Sequence, residues 1–564
     1  MVTILGISAY YHDSAACIIQ DGKIVAAAQE ERFTRIKHDK SYPVNAIKYC
    51  LEEAGNPKID KTVFYENPEL KFDRVYKNLQ SYPQNLKKFN SAINSQKQKI
   101  KDTKNFEYVK HHESHAASAF YPSPYKKAAI VTIDGVGEWD TTTISLGTNN
   151  KIIPICSLKY PDSLGMLYSA FTYFCGFKVN NGEYKLMGLA PYGEPKYYDL
   201  IKDNLIDIKK DGSFALNLEY FSYFSDSNII NNKFESLFNV KRRQPESEIT
   251  KVYVDIAASI QKITEEIVLN ICDYAQKVTG QTNICLAGGV ALNCVANGKL
   301  LHSKLFKNIW IQPAAGDAGG ALGAALLAYY KMGFKRQVDK DDSMQTAYLG
   351  PNYDNYIPKF LKENNIKFEK LDLSKVASYL GNEKVVGWYQ GRMEFGPRAL
   401  GHRSILGDAR SKKMQSIMNL KIKFRESFRP FAPIVLEEDV NEYFNLNVKS
   451  PYMLIVSNVK KRLIKKYKKL TNFNVIDQVN QCRSSLPAIT HVDQSARIQT
   501  VSKKNDKLYL FLKEFKKRTG SSVLINTSFN VRGEPIVCTP QDAYKCFMSS
   551  GMDYLVLGDY VIKK

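Results

Sequence analysis

The sequence predicts an α/β protein of two domains, and three observations support this fold class. At 564 residues, the chain exceeds the size at which one hydrophobic core keeps growing. Apolar runs of strand length alternate with segments of helical spacing on both sides of a polar stretch at residues 335–356. The composition, 44% hydrophobic and 24% charged, is that of a globular protein. We expect one α/β domain over residues 1–345 and a second over residues 357–564.

The first domain begins with a predicted β-hairpin. Apolar runs at residues 2–8 and 15–19 flank a polar turn, and a third strand follows. The same order of strand, acidic glycine-rich turn and strand recurs at residues 128–146. This weak duplication is typical of a fold made of two similar halves that present their turns to a shared cleft. In the second copy, Gly135 and Gly137 offer N–H groups of the kind that bind phosphate.

The end of the first domain predicts a long helix and two glycine-rich turns. Residues 251–279 have helical apolar spacing and lead to a buried strand that ends in Gly288 and Gly289. With a helix expected to start near Ala291, this turn suits a phosphate or a nucleotide. The same pattern occurs where a helix simply packs closely on a sheet, so both interpretations stay open. A similar turn at residues 316–320 precedes a helix of small residues.

The second domain is predicted to alternate helices with strands. A helix is expected over residues 373–381, and strands over residues 385–388, 523–525 and 554–557. This alternation makes the second domain α/β as well.

Charge and cysteine usage limit the classes of partner and compartment. The net charge of +22 is scattered, and the densest basic run, at residues 460–469, holds one aromatic residue, Tyr467. Because stacking platforms for bases need several aromatics, a nucleic-acid partner is not expected. The sequence shows no basic leader, and no apolar run reaches the ~18 residues that a membrane span needs, so we expect no membrane span. The ten cysteines form no CxxC pair, so we expect reduced thiols and a cytoplasmic protein.

A histidine pair in HHESHA is a candidate metal site. His111 and His115 are four residues apart, which places both imidazoles on one face of a helix. Asp134 and Asp317 lie at a strand end and a glycine turn, from which their carboxylates can complete a site for a divalent first-row metal. Such a pair also serves structural roles, so a metal is a hypothesis at this point.

A concentration of cations between residues 392 and 429 is the second candidate site. Its members are Arg392, Arg398, Arg403, Arg410, Lys421, Lys423, Arg425 and Arg429. They alternate with glycine, proline and aromatic residues, which favours partial burial, and buried cations need anions. Guanidinium groups match phosphate oxygens in pairs. The alternative is a set of structural ion pairs with Glu394, Asp408 and Glu426.

A third candidate lies at a strand end near residue 526. Asn526 and Ser528 place amide and hydroxyl groups before a turn, and Arg497 is a candidate to join them. Taken alone, this pattern is more typical of an ordinary turn.

Ten motifs, in order, resemble those of the O-carbamoyltransferases, a family that includes nodulation-factor carbamoyltransferases and antibiotic-tailoring enzymes acting on tobramycin and cephamycins. The motifs are HDSAA (12–16), EERFTRIKHD (30–39), HHESHA (111–116), DGVGEWDTT (134–142), GEYKLMGLAPYG (182–193), LAGGVALN (286–293), GDAGGALGAA (316–325), GRMEFGPRALGHRSIL (391–406), RESFRPFAP (425–433) and NTSFNVRGEPIV (526–537). The resemblance covers essentially the whole chain.

The resemblance implies an actin/sugar-kinase-like first domain and a YrdC-like second domain. It implies that the second domain forms carbamoyl-adenylate from carbamoyl phosphate and ATP, with release of pyrophosphate. The first domain then transfers the carbamoyl group to a hydroxyl of a small molecule such as a sugar, an antibiotic or another natural product. A divalent metal, Fe²⁺, is implied in the first domain, and Mg²⁺ with ATP and a homodimer are open possibilities. We expect residues 357–564 to carry out adenylation alone.

Site residues follow from matching these motifs. The metal ligands are His111, His115, Asp134 and Asp317. The catalytic residues are His12, Asp13, Lys423 and Arg429, of which His12 or Asp13 is our own candidate base, from the hairpin position. The residues assigned to cofactor binding are Gly135, Gly137, Glu183, Lys185, Gly288, Gly289, Asn293, Arg398, Arg497, Asn526 and Ser528.

Two other functions compete with this prediction. A tRNA threonylcarbamoyladenosine enzyme would share both fold types and suit a basic chain. A nucleotide-binding regulatory protein of the actin-like class would keep Gly288 and Gly289 but would need neither the metal pair nor the arginine cluster. The basic insertion at residues 458–484 departs from the family pattern, and its role is open.

Overall fold

The computed structural model describes residues 1–80, 86–223, 228–467 and 474–564. It contains two compact units. The first comprises Met1–Glu30 and Asp39–Ser343, and the second comprises Glu31–His38 and Met344–Lys564. The segment Glu31–His38, expected in the first domain, therefore belongs to the second unit. No helix in the described ranges is both long enough and apolar enough to span a bilayer.

Among the described residues before residue 332, the structure has twelve strands and twelve α-helices. The strands are β1 (Thr3–Ser8), β2 (Ala15–Gln20), β3 (Lys23–Gln29), β4 (Lys61–Phe64), β5 (Glu107–Tyr108), β6 (Lys127–Ile133), β7 (Asp140–Thr148), β8 (Lys151–Lys159), β9 (Ile206–Ile208), β10 (Phe214–Leu216), β11 (Asn283–Ala287) and β12 (Asn308–Ile311). The helices are α1 (Glu31–Thr34), α2 (Val44–Glu53), α3 (Pro68–Gln80), α4 (Leu86–Thr103), α5 (His111–Phe120), α6 (Leu164–Phe174), α7 (Glu183–Leu189), α8 (Tyr198–Asn204), α9 (Asn232–Phe238), α10 (Lys251–Thr279), α11 (Cys294–Ser303) and α12 (Ala318–Lys331).

The first unit is built from two copies of one sheet. The first sheet has the order β3-β2-β1-β4-β5, and the second has the order β8-β7-β6-β11-β12. In each copy, the first three strands pair antiparallel and the last three pair parallel. Each copy ends in a helix, α5 or α12. This confirms the predicted duplication and the α/β class of the actin and sugar-kinase fold.

The two closing helices pack closely because their contact is made of small residues. A Cβ atom on Gly323 of α12 would lie 1.7 Å from the Ser114 carbonyl oxygen of α5, so no larger side chain is possible there. The helix predicted over residues 251–279 is confirmed as α10. The helix predicted from Ala291 begins later, at Cys294, because the Asn293 side chain accepts the Ala296 N–H and caps α11.

The second unit is a nine-stranded sheet with helices. Its strands are β13 (Glu369–Lys370), β14 (Val386–Tyr389), β15 (Arg403–Asp408), β16 (Ala432–Leu436), β17 (Ile455–Asn458), β18 (Ser495–Val501), β19 (Val523–Ser528), β20 (Tyr554–Leu557) and β21 (Tyr560–Lys563). Its later helices are α13 (Ile357–Glu363), α14 (Leu373–Gly381), α15 (Met414–Ile417), α16 (Val440–Tyr443), α17 (Val475–Val479), α18 (Asp506–Thr519) and α19 (Pro540–Met548).

The strands of the second unit follow the order β13-β21-β20-β14-β15-β19-β16-β18-β17. The predicted elements at α14, β14, β19 and β20 are confirmed. The basic insertion follows β17 and includes α17, and its residues 468–473 lie outside the described residues. The YrdC-like character of this unit stays a prediction.

Candidate active sites

Four side chains that were expected to bind a metal meet in the first unit. The Nε2 atoms of His111 and His115 lie 3.0 Å apart. The Asp134 Oδ2 atom is 3.0 Å from the first imidazole and 3.2 Å from the second. The Asp317 Oδ1 atom is 3.7 Å from each of them. We call these four residues the His/Asp centre.

The duplicated fold explains why distant residues meet there. Asp134 follows β6, the first strand of the second half, and the turn with His12 follows β1 in the first half. His111 is the first residue of α5, and Asp317 directly precedes α12, the equivalent helix of the other half. Equivalent turns and helix starts of the two halves therefore meet at one place.

Two glycines position Asp134. The Gly289 N–H donates to Asp134 Oδ1 at 2.9 Å, and the Gly288 N–H donates to the Ala315 carbonyl at 2.8 Å. Gly288 has a φ of +88°, and a Cβ atom there would lie 2.2 Å from the Ile133 carbonyl oxygen. Both N–H groups are used inside the protein, so they are not the phosphate donors expected from the sequence. Of the two interpretations left open, close packing explains this turn.

A carboxylate that sequence reasoning missed orients α5. Glu138 accepts the His111 N–H with both oxygens, at 3.0 and 3.2 Å, at a helix start where N–H groups lack helical partners. His112 turns away from the centre, with Nδ1 2.6 Å from Thr132 Oγ1. Burial, together with His111 and His115, lowers the pKa of His112 well below its ordinary value. His112 is therefore a neutral structural residue.

The electrostatics of the His/Asp centre favour positive charge in its middle. Burial raises the pKa of Asp134, but hydrogen bonds with His111 and His115 outweigh this effect and hold the pKa well below its ordinary value. Burial lowers the pKa of His115, but hydrogen bonds with Asp134 and Asp317 and their charges raise it to about 9. The carboxylates thus attract either protons on the imidazoles or a bound cation.

The donor set fits a divalent metal. Two imidazoles and two carboxylates suit divalent first-row ions. Atoms bonded to one such ion at about 2.0–2.2 Å stand about 3.0–3.6 Å apart. The donor distances given above, 3.0 to 3.7 Å, are close to this spacing. His111, His115, Asp134 and Asp317 are thus able to hold a metal without rearrangement of the chain.

The candidate base lies at the edge of the centre. His12 Nδ1 is 3.0 Å from Asp13 Oδ2, and His12 Nε2 is 3.9 Å from Asp317 Oδ2. Burial lowers the pKa of His12, but the charges of Asp317 and Asp13 and the hydrogen bond with Asp13 raise it to about 9. The turn after β1 therefore places a hydrogen-bonded His–Asp pair beside the metal ligands.

Three of the residues assigned to the nucleotide lie near the centre or cap a helix. A Cβ atom on Gly135 would meet nothing within 4 Å, whereas one on Gly137 would lie 2.8 Å from the His111 Cβ. The turn therefore has open space on one side and a ligand imidazole on the other. Asn293 exchanges hydrogen bonds with Gln261 at 3.1 and 3.2 Å while it caps α11.

Glu183 and Lys185 lie at the start of α7. The Glu183 carboxylate accepts hydrogen bonds from Ser169 Oγ at 2.9 Å and from the Asn180 N–H at 3.0 Å. The Lys185 ammonium lies 5.7 Å from the centre of the Phe177 ring. Both residues shape the loop before α7, and their contact with a nucleotide stays a prediction.

In the second unit, Lys423 and Ser528 are brought together as expected. Lys423 Nζ donates to the carbonyl oxygens of Ser528 at 2.7 Å and Asn530 at 2.6 Å, and to Asn530 Oδ1 at 2.6 Å. Burial, with the neighbouring Arg425, lowers the pKa of Lys423 well below its ordinary value. The ammonium therefore organises the strand end that carries Ser528.

Asn526 connects the segments that carry two predicted anion-binding arginines. Its Nδ2 donates to the Ala399 carbonyl at 3.0 Å, next to Arg398, and to Gln499 Oε1 at 2.7 Å, two residues after Arg497. Arg497 is half-buried, and within the described ranges it forms no hydrogen bond or ion pair; its Nε is buried without a partner. This guanidinium is available for an anionic ligand.

Arg429 has the long ion pair that the structural alternative predicted. Its Nη1 is 3.9 Å from Glu426 Oε2, and Arg532 lies 3.8 Å from the other oxygen of Glu426. Arg425 donates instead to Asn419 Oδ1 at 2.7 Å. One carboxylate is thus shared by two arginines, so neither has a close ionic partner in Glu426.

Other cations of the cluster are structural. Arg410 pairs with Asp408 at 2.6 Å. Arg403 is fully buried over the Tyr389 ring at 3.6 Å and, like Arg392, donates to backbone carbonyl groups. For these three residues, the expectation of an anion site is wrong, because backbone groups, a ring and a carboxylate already hold their guanidinium groups, although Arg403 Nε is buried without a hydrogen-bond partner.

The segment Glu31–His38 is an integral part of the second unit. Phe33 packs against a buried cluster, Arg32 donates to the Gly396 carbonyl at 2.8 Å, and Arg35 donates to two carbonyls at 2.6 and 2.9 Å. The buried cluster consists of Met393, Ala399, Ile536 and Cys538. A fragment limited to residues 357–564 lacks all of these contacts.

Two family models match the chain. The model described as "Carbamoyltransferase N-terminus" matches residues 3–326, and the model described as "Carbamoyltransferase C-terminus" matches residues 377–564. The chain belongs to the carbamoyltransferase family. Its activity is therefore the transfer of a carbamoyl group, and this favours the main prediction over the tRNA-modifying and non-enzymatic alternatives.

Relatives of this carbamoyltransferase span its whole length. "Uncharacterized protein sll1178" from Synechocystis sp. is 53% identical and covers 100% of this chain and 97% of its own. "Nodulation protein NolNO" from Sinorhizobium fredii is 36% identical and covers 98% of this chain and 79% of its own. Among solved structures, component A of (R)-2-hydroxyglutaryl-CoA dehydratase from Acidaminococcus fermentans aligns with 59% of this chain and 100% of its own, at 17% identity and a TM-score of 0.33.

Proposed function

We propose that this carbamoyltransferase uses ATP and works in two half-reactions. In the second unit, water releases phosphate from carbamoyl phosphate, and an oxygen of the resulting carbamate attacks the α-phosphorus of ATP. Pyrophosphate leaves, and carbamoyl-adenylate remains. In the first unit, the hydroxyl oxygen of a small-molecule acceptor attacks the carbamoyl carbon. The bond from that carbon to the adenylate oxygen breaks, AMP leaves, and the hydroxyl proton passes to the protein.

The proposed adenylation site consists of the anion-binding groups of the second unit. Arg497, which has no hydrogen bond or ion pair to the residues that the structure describes, binds phosphate oxygens with its guanidinium fork. Arg429 and Arg398 add positive charge, and Lys423 holds the strand end of Ser528 in place. These fixed charges stabilise the negative charge that develops as pyrophosphate leaves.

The proposed transfer site is the His/Asp centre. His111, His115, Asp134 and Asp317 hold a divalent metal, for which the family resemblance favours Fe²⁺; a bound metal would polarise the carbamoyl oxygen. The pair His12 and Asp13 lies beside the centre and is the proposed acceptor of the hydroxyl proton. A cation bound at the centre would offset the charge of Asp317, which raises the pKa of His12, and so allow the imidazole to accept that proton. The open space at Gly135 leaves room for a ligand next to Asp134.

The observation that supports this function most strongly is the spacing of the four donor atoms where the two halves of the first unit meet. A purely structural set of four buried side chains would not need two histidine Nε2 atoms 3.0 Å apart. We propose ATP with Mg²⁺, carbamoyl phosphate and a hydroxyl-bearing natural product as substrates, in the cytoplasm. A homodimer remains an expectation.

Comparison of two host strains tests this function. One strain produces the protein and the other its His115→Ala variant, and extracts of both are analysed by mass spectrometry. We expect one compound to gain a single carbamoyl group only with the parent protein. The purified parent protein is also assayed for pyrophosphate release from carbamoyl phosphate and ATP. If it releases pyrophosphate but the two extracts are identical, a small-molecule acceptor in that host is contradicted, and transfer to tRNA is assayed next.

A further inference from the structure

Three buried cations lie beside the His/Asp centre on a helical hairpin. Lys71 and Arg74 belong to α3 and Lys99 to α4, and their exposed fractions are 6%, 8% and 3%. The two helices form the connection between β4 and β5 in the first half of the unit. Charged side chains are rarely buried this fully unless anions balance them.

One carboxylate serves both lysines. Lys71 Nζ is 2.7 Å from Glu66 Oε2, and Lys99 Nζ pairs with Glu66 Oε1. Glu66 is fully buried, and its Oε2 is 3.8 Å from His111 Nδ1. Two ammonium groups therefore share one negative charge next to a proposed metal ligand. Burial lowers the pKa of Lys71 to about 8 and that of Lys99 to about 7, so the two lysines together balance the charge of Glu66 and leave Arg74 as the remaining cation of the hairpin.

Arg74 has no ionic partner among the described residues, and its guanidinium lies 5.1 Å from the centre of the Tyr160 ring. Its one hydrogen bond to the described residues runs from Nη2 to the Gly137 carbonyl and is long, at 3.4 Å. No carboxylate in the described ranges lies within 4.0 Å of its guanidinium, and its Nε is buried without a hydrogen-bond partner. Of the residues outside the described ranges, Asp226 is the one with an acidic side chain. A guanidinium has five N–H donors, so most of its binding capacity is unused.

The position of Arg74 directs this capacity to the active site. Gly137 belongs to the turn that starts with Asp134, and a Cβ atom on Gly137 would lie 2.8 Å from the His111 Cβ. The other side of the turn, at Gly135, is open space. Lys71 Nζ lies 5.0 Å from the ring of Tyr11, which is 43% exposed, so this edge of the centre is open to solvent.

We propose that Arg74, supported by Lys71, forms a phosphate-binding subsite next to the His/Asp centre. A guanidinium fork matches two phosphate oxygens, and an anion there would supply the ionic partner that the described residues do not provide. The ligand is a phosphate ester. One source is the AMP part of the adenylate, which rests on the proposed function, and the other is a phosphate carried by the acceptor.

Calorimetric titration of the full chain tests this subsite. The probes are AMP, adenosine and inorganic phosphate, and the background is Arg497→Gln, which weakens the second unit's anion site. Three double variants add Arg74→Gln, Arg74→Lys or the control Lys77→Gln to this background, and each is compared with the background alone. Lys77 is a cation on the same helix that is 59% exposed and pairs with Asp73. We expect Arg74→Gln to weaken AMP and phosphate by about tenfold or more and to leave adenosine unchanged.

Each outcome has one meaning. Weaker AMP binding supports the adenylate as the source, and weaker phosphate binding with unchanged AMP supports a phosphorylated acceptor. Unchanged binding of both overturns the subsite. Arg74→Lys keeps the charge but loses the fork, so it should remain impaired. The described residues give Arg74 no ionic partner, only a long hydrogen bond to Gly137 and a contact with the Tyr160 ring at 5.1 Å. Arg74→Gln should therefore change the melting temperature without ligand only slightly, and a clear drop would indicate a structural residue instead. These titrations measure binding and need no turnover, whereas the proposed function is tested by pyrophosphate release. A failure of the subsite is therefore distinguished from a failure of the proposed function.

Discussion

Replacement of Arg497 by glutamine separates a ligand-binding role from a structural one. Arg497 forms no hydrogen bond or ion pair within the described residues, and residues 468–473, which are not described, contain no acidic side chain. Removing its charge therefore breaks no internal contact. We expect Arg497→Gln to change the free energy of unfolding by no more than ~0.5 kcal/mol.

The expected effect on adenylation is large. Loss of one partner of a desolvated, charge-assisted contact costs ~2–5 kcal/mol, and ~1.4 kcal/mol corresponds to a tenfold change. The carbamoyl phosphate-dependent release of pyrophosphate should therefore fall roughly thirtyfold or more. The assay is steady-state pyrophosphate release with carbamoyl phosphate and ATP varied in turn, and thermal unfolding is measured on the same sample.

Arg410→Gln is the matched control with the opposite pattern. Arg410 binds Asp408 at 2.6 Å, and Asp408 is almost fully buried. Its loss should cost about 1–3 kcal/mol of stability and leave pyrophosphate release within a few-fold of the parent. A folded Arg497→Gln protein that releases pyrophosphate at the parent rate would refute the assignment of Arg497 to the anion site.

Three further predictions concern both units. Arg429→Ala should slow pyrophosphate release roughly thirtyfold, and Arg429→Lys should stay impaired. Glu426→Gln should leave the release rate nearly unchanged. If Glu426→Gln slowed release as much as Arg429→Ala, the 3.9 Å pair would be the only role of Arg429. The sequence led us to expect adenylation by residues 357–564 alone, but the contacts of Glu31–His38 with the rest of the second unit reverse this prediction: the fragment should release no pyrophosphate, and release at the parent rate would show that the segment is dispensable. His115→Ala should lose bound metal by elemental analysis and retain pyrophosphate release, and unchanged metal content would exclude His115 as a ligand.

Local patterns were enough to predict much of the fold. The spacing of apolar residues predicted α10 and α14, and the repeated hairpin predicted the duplicated sheet. The same patterns placed His111 and His115 on one helix face, and the duplication brings Asp134 to them.

Contacts between distant parts of the chain were beyond these patterns. No local motif marks Lys71 or Arg74 in the sequence, and only the packing of α3 shows that both are buried. Glu66 and Glu138 carry no local motif that predicts their contacts with His111. The Gly288 turn has two physically valid interpretations, and the hydrogen bond that decides between them joins residues far apart in sequence.

Isotope exchange between pyrophosphate and ATP is the most direct test of the two-stage reaction. We predict that the parent protein transfers labelled pyrophosphate into ATP only in the presence of carbamoyl phosphate. His115→Ala should retain this exchange and Arg497→Gln should lose it, because the proposed adenylation site lies in the second unit. Absence of exchange in the parent, with ADP and phosphate formed in place of AMP and pyrophosphate, would contradict the adenylate. Loss of exchange in a folded His115→Ala protein would contradict the division of the reaction between the two units.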